Sequence, residues 1–217
     1  MRGNMRIITS CNFVLGMGLV ILSGGVASAQ GSPNTLTSKE AAQGWKLLFD
    51  GKDLDGWQPY STSKPPATGD WVVADGAILC PGTSPGWLAG NDSYTNFDLK
   101  LQFRATEKTN SGVFIRATKE GAPNKTGYEV QIWDYQPAGY NTGSLVDSLK
   151  AAPVKILEGQ WNDYNIKAVG DHYVVVLNGK TILDDHDSKH AEGLIGFQCQ
   201  PGNKIEFRNV KLLPLKQ

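Results

Sequence analysis

The chain lacks a charge of one sign: 21 basic and 21 acidic residues balance. With no net field, neither nucleic acid nor an anionic lipid surface is an expected partner. Cysteine and histidine are scarce, with three of each, and no two cysteines form a CxxC pair. That spacing excludes a dithiol redox motif, and no His or Cys pair has the separation of a zinc site, so neither metal nor cofactor is expected. The one acidic run, Asp184-Asp185-His186-Asp187 with His190 nearby, lacks the spaced ligands and turn glycine of an EF-hand and reads as a solvated hairpin exit. His172 opens a hairpin strand and reads as an exposed ring. No segment beyond residue 45 sustains a helical period, and no repeat of roughly 20 to 50 residues marks a propeller or solenoid.

One long apolar run is present, and it stands at the N-terminus. Arg2 and Arg6 precede the stretch from Phe13 to Val26, and Ala27-Ser28-Ala29 follows with small residues at the cleavage positions. This is the pattern of a bacterial secretory signal peptide over residues 1–29, cleaved before Gln30. A periplasmic or secreted protein is expected, with no membrane span once the signal is removed. Cys11 would leave with the leader. Cys80 and Cys199 remain, each at the end of a strand-like run, and either a disulfide or two separate buried thiols suits them.

Residues 30–44 read as a flexible lead-in with one helical turn at Ser38 to Gln43, and residues 45–217 as one domain. That domain has the punctuation of an all-β fold. Asp75-Gly76 separates Trp71–Ala74 from Ala77–Cys80, and Asn178-Gly179 separates Tyr173–Leu177 from Thr181–Leu183; both are type I′ hairpin signals. Phe97, Leu99, Leu101 and Phe103 alternate with polar residues, as a half-buried strand requires. Many short strands of this kind imply a jelly-roll sandwich of two antiparallel sheets. Trp45, Trp57, Trp71 and Trp161 fall in strand-like motifs and are expected in the core. Trp87 and Trp133 are the better candidates for a sugar platform.

Candidate chemistry concentrates in Gly127 to Asp134. Val130 and Ile132 alternate with Glu129 and Gln131, so a carboxylate and an amide share one face. Strict alternation points Asp134 to the apolar side; a β-bulge near Trp133 would return it to the polar face. In Ser111 to Arg116, Phe114 and Arg116 point outward. If the two strands are neighbours, an aromatic ring, a guanidinium, a carboxylate and an amide share a surface. Sugars need that mixture, because hydroxyls take hydrogen bonds while C–H faces stack on rings.

Longer stretches resemble the motifs of the 3-keto-disaccharide hydrolase family. Trp45 to Trp57, with Leu48-Phe49-Asp50-Gly51-Lys52-Asp53-Leu54-Asp55-Gly56-Trp57, resembles "LFNGKDLSGW". Phe97 to Arg104 is similar to "FELRLEFR", Asn110 to Arg116 to "NSGIFLR", and Gly127 to Asp134 to "GYEVQILD". Thr142 to Asp147 is similar to "TGALYD" and Gln160 to Ile166 to "GEWNDYRI". Gly193 to Gln198 and Ile205 to Val210 follow "GHIGLQ" and "VEFRNI". The resemblance implies a concanavalin A-like lectin/glucanase jelly roll acting on 3-keto-glucosides. For that chemistry Glu129 is expected as the base that removes the C2 proton, with plain ligation of sugar hydroxyls as its alternative role, Asp134 as a second acid or base, and Arg116 as stabiliser of the enolate or of a hydroxyl. Gln131, Phe114, Trp133, Arg104 and Gln198 are expected to bind substrate. Where relatives often continue with a His-Gly pair, this chain has Cys199-Gln200, and the segment from Asp134 to Trp161 is short. Those departures favour an alternative, a non-catalytic carbohydrate-binding module. A third reading is a retaining β-glucanase, because Glu129-x-Gln131-x-x-Asp134 has the spacing of that group's E-x-D-x-x-E strand.

Overall fold

The computed structural model describes residues 1, 32–61, 66–106 and 108–216. The expected signal peptide, residues 1–29, lies outside the described residues apart from Met1. Both hairpin signals do what backbone sterics demand. Asp75 and Gly76 have φ of 51° and 71°, and Asn178 and Gly179 have 48° and 80°, the left-handed pairs of type I′ turns. They join β3 (Val72–Ala74) to β4 (Ala77–Cys80) and β10 (His172–Leu177) to β11 (Lys180–His186).

Two antiparallel sheets result, the expected jelly-roll sandwich. The larger one orders β11, β10, β9 (Trp161–Val169), β6 (Phe97–Arg104), β13 (Ile205–Pro214), β4 and β3, with β1 (Lys46–Leu47) also paired to β13. The smaller one orders β2 (Trp57–Tyr60), β5 (Gly86–Tyr94), β12 (Gly193–Cys199), β7 (Ser111–Ala117) and β8 (Tyr128–Ile132). Among the described residues no helix is long and apolar enough to cross a membrane.

The core fills the space between the sheets. Phe197 of β12 stacks on Phe207 of β13 at 4.1 Å and on Trp57 at 5.1 Å, and full burial of one such ring stabilises by about 1.5–3 kcal/mol. Cys80 of β4 and Cys199 of β12 are disulfide-bonded across the two sheets, with Cα atoms 5.6 Å apart and a sequence separation of 119. Of the two arrangements open to these cysteines, the structure has the bridge. Phe197 and Cys199 thus anchor β12 on its inner face, and the alternate positions Gly196 and Gln198 are turned outward.

Residues 32–44 are pinned rather than loose. Thr37 caps α1 (Ser38–Gln43) in a capping box with Glu40. Asn34 and Asn209 exchange reciprocal backbone-to-side-chain hydrogen bonds, and Glu40 pairs with Lys211 at 2.8 Å. This stretch was expected to be flexible because its own composition is polar; its partners lie more than 170 positions away. Trp161 also departs from expectation. It is half-buried on the outer face of the larger sheet, between the guanidinium groups of Arg104 (4.7 Å) and Arg208 (4.0 Å).

Candidate active site

The outer face of the smaller sheet is built by alternation from its five strands. Tyr60 lies opposite Trp87, and Trp87 opposite Gln198. Phe114 lies opposite Glu129, and Gly112 opposite Gln131. Because Phe197 pairs with Val113, Gln198 is level with Gly112. Two glycines open the space. A Cβ on Gly112 would come within 2.7 Å of Glu129 Cγ and 2.9 Å of its Oε1, so the Glu129 side chain lies across that bare position. A Cβ on Gly196 would come within 2.6 Å of the Trp87 ring. Trp87 in turn meets Phe114 edge-on at 5.6 Å and Tyr60 at 5.5 Å. A carboxylate and an amide therefore run beside a row of aromatic rings.

Glu129 is 5% exposed, and burial pushes its pKa up to about 7, because a low-dielectric site penalises the charged form. The side-chain hydrogen bond from Gln198 opposes the rise; the charge of Asp147 adds to it and that of Lys125 opposes it. Lys125 Nζ donates to Asp147 Oδ2 at 2.7 Å, so an ion pair borders the carboxylate. Asp147 closes a segment that runs along β8: Val146 N donates to Glu129 O, and Gln131 N to Ser144 O. A carboxylate poised near neutrality can take a proton and return it.

Of the expected site residues, Glu129, Gln131, Phe114 and Gln198 share this face. Gln131 is buried, with Oε1 accepting from Ile132 N at 3.0 Å. Trp133, half-buried just past the end of β8, continues the same alternation.

Three residues do not join them. Arg116 was expected outward by alternation, but β7 bulges there: Gly196 pairs with Phe114 while Leu194 pairs with Ala117, and Arg116 takes φ of 54°. Its guanidinium is carried to the rim of the sandwich, donating to the carbonyls of Thr95, Gly170 and His190 and to Tyr173 Oη. Buried and held there by these four acceptors, it does not face Glu129. Asp134 follows strict alternation to the inner side, without the bulge near Trp133. Thr142 Oγ1 donates to its Oδ1 at 2.6 Å and Ile156 N to its Oδ2 at 2.9 Å, so it braces two loops. Arg104 sits on the other sheet, bidentate to Glu206 at 2.6 and 2.8 Å.

Sequence reasoning gave no role to Gly112, Lys125 or Asp147. Asp147 lay inside a quoted motif, but its proximity to Glu129 depends on the chain doubling back along β8. The acidic loop is also less solvated than expected: Asp187 accepts from Tyr128 Oη at 2.7 Å and from Ser148. His172 stacks on His186 at 4.6 Å and meets Asp184 at 2.6 Å. Among the described residues no group of three or more His, Cys, Asp or Glu could hold a metal ion.

Cavity size alone would place the site elsewhere. Hollows of about 410 and 700 Å³ open on the larger sheet, lined in part by Glu40, Lys100, Arg208 and Lys211. Their charges are engaged, however. Although burial raises it, the Lys211 pair and the Thr37 hydrogen bonds hold Glu40 down to about 2. Arg208 bonds Gln102 and stacks on Trp161, while Lys100 lies over Trp45 at 4.5 Å. Groups engaged in this way hold a surface together; the carboxylate of raised pKa is on the other face.

Fold and face together define a jelly-roll sandwich with a buried carboxylate of raised pKa on one sheet. The chain belongs to the 3-keto-alpha-glucoside-1,2-lyase-like domain family, matched over residues 44–213. It is 25% identical over 230 aligned positions to a 3-keto-disaccharide hydrolase of Bacteroides thetaiotaomicron, covering 79% of this chain and 78% of that protein. Two crystal structures of candidate glycosyl hydrolases from Parabacteroides distasonis are also similar. One has a TM-score of 0.73 at 24% identity, covering 85% of this chain and all of the other. The second has a TM-score of 0.62 at 28% identity, covering 79% and 99%.

Proposed function

We propose that the protein cleaves 3-keto-glucosides, with Glu129 as the base. A C3 ketone acidifies the hydrogen on C2. Glu129 takes that proton, and the electron pair of the C–H bond forms the enolate. The enolate then collapses to a C1–C2 double bond as the C1–O bond breaks, which restores the ketone. The departing oxygen takes up the proton that Glu129 holds. Water then adds across the double bond, its oxygen to C1 and a proton to C2, giving the free 3-keto-sugar. A carboxylate with a pKa near 7 suits both halves of this cycle. Gln198 orients the base, and the half-buried Trp133 offers apolar surface to the sugar ring. The reading is carried by one observation: a buried, up-shifted carboxylate lies across the bare backbone of Gly112, on a face bordered by aromatic rings. Family membership and the curated relative support the substrate class.

Export fits the same reading. The leader pattern of residues 1–29 and a cross-sheet disulfide suit an oxidising compartment.

Two alternatives make different demands. A retaining glucanase needs two carboxyl groups roughly 5–5.5 Å apart across the scissile bond, and Asp134 is turned to the opposite side of the strand with both oxygens engaged. A binding-only module is favoured by Cys199, which stands where relatives often carry His and is held in the disulfide. Incubation with a 3-keto-disaccharide and with plain β-glucan separates the three. Keto-sugar release is expected, and Glu129→Gln should reduce it by about 10²- to 10⁴-fold while the fold persists. Undiminished release from that variant would refute the base assignment, and binding without products would leave the module reading.

A further inference from the structure

Two buried polar atoms on the face of Glu129 have nothing to bond. Gln198 Oε1 and Trp87 Nε1 are sealed from solvent without a hydrogen-bond partner among the described residues. A buried donor or acceptor left unpaired costs about 1–3 kcal/mol, so folded proteins keep few of them, and those few call for an explanation. These two lie on neighbouring strands in direct register. The third such atom, Trp71 Nε1, lies close to Gly69 and Cys199 Cβ, on the core side of β12, and takes no part.

Neither group is free to turn away. Trp87 is fully buried, with its ring over Gly196 and edge-on to Phe114. Gln198 is flanked along β12 by Phe197 and Cys199, both fully buried, and stands level with Gly112, the position that the Glu129 side chain lies across. Gln198 Oε1 is left on that face as a buried acceptor without a donor among the described residues.

We infer that Gln198 and Trp87 form a hydroxyl-reading subsite next to Glu129: Gln198 Oε1 accepts from a hydroxyl of the sugar, and Trp87 Nε1–H donates to an oxygen of the same ring. The inference rests on the 3-keto-glucoside reading and narrows it. An amide oxygen is satisfied only by a donor, so neither the C3 ketone nor an ether oxygen can fill the first position. The preferred class is therefore a pyranoside that keeps a free hydroxyl at the position Gln198 reads. A site built to bond a hydroxyl discriminates strongly against analogues lacking it, because its own buried group is then stranded.

The test is calorimetric binding, with turnover assayed in parallel. The panel is a 3-keto-glucoside, its unoxidised parent, and the 2-, 4- and 6-deoxy forms of that parent, against wild type, Gln198→Met and Trp87→Phe. One deoxy form is expected to bind wild type about 10- to 100-fold more weakly than the parent. Gln198→Met should bind the parent and that deoxy form alike. Trp87→Phe should weaken the parent but keep the deoxy difference. Equal binding of parent and all deoxy forms to wild type, a difference that survives in Gln198→Met, or no binding by any member each overturns the inference. The wild-type panel decides alone if Gln198→Met does not fold. A 3-keto-glucoside that binds with the expected pattern but is not turned over would refute the lyase reading and leave the subsite standing.

Discussion

The outer faces of the two sheets carry similar residue types and treat them in opposite ways. On the larger sheet, Arg104 grips Glu206, Lys211 grips Glu40, and Trp161 is covered by two guanidinium groups. The Lys211 pair and the Thr37 hydrogen bonds hold the Glu40 carboxyl down against the rise that burial alone would give; the Glu206 carboxyl is lowered by Arg104 despite its burial. On the smaller sheet, Glu129 is buried with an amide for company, its pKa is raised, and two neighbouring polar atoms are unpaired. A polar group with its partner beside it stabilises a surface. One held without a partner raises the free energy of the empty protein, and it is where a ligand gains most.

The largest way to break this contrast is to uncouple the sheets. Cys80→Ala/Cys199→Ala, or reduction, should lower stability by about 3–5 kcal/mol, since the bridge closes a loop of more than a hundred residues. Thermal melts with and without reductant would show it; an unshifted melt would mean the bridge adds nothing to the interlocked rings.

The next effect is on pH. The folded-state pKa of Glu129 is raised from 4.5 to about 7, so the native state holds an extra proton across that window. Its contribution to stability is fully present below about 4.5 and is lost as pH rises through about 7, by about 3 kcal/mol. Glu129→Gln should flatten that slope in denaturant titrations. In wild type, kcat/KM should climb through about pH 7 to a plateau, because only the ionised form is a base. A profile already flat at pH 5 would contradict the poised carboxylate.

Gly112→Ala is subtler. The added methyl must displace the flexible Glu129 side chain, so turnover should fall by about 10- to 100-fold, with stability changed by about 1 kcal/mol. Unaltered kinetics would show that the position of Glu129 over Gly112 is immaterial. The smallest effect belongs to the other face: Arg104→Met/Glu206→Gln should shift stability by no more than about 1 kcal/mol and leave turnover as it was. A loss of turnover in that double variant would move the site to the larger sheet.

Local chemistry along the chain determined a good deal. The hairpins at Asp75-Gly76 and Asn178-Gly179, the alternation of β6 and the shared face of Glu129 and Gln131 all follow from sterics acting over a few residues, and all are visible in the letters. So is the inward turn of Asp134, had strict alternation been trusted over a supposed bulge. Convergence across strands is another matter. Gln198 reaches Glu129 because β12 and β8 both flank β7, and Arg116 misses the face because one extra residue at its bulge carries it to the rim. The Cys80–Cys199 bridge, the docking of Asn34 on Asn209 and the approach of Asp147 to Glu129 are likewise settled by register between distant segments. Side-chain direction in a sheet alternates residue by residue, so one inserted position reverses it, and only the assembled sandwich shows where those insertions fall.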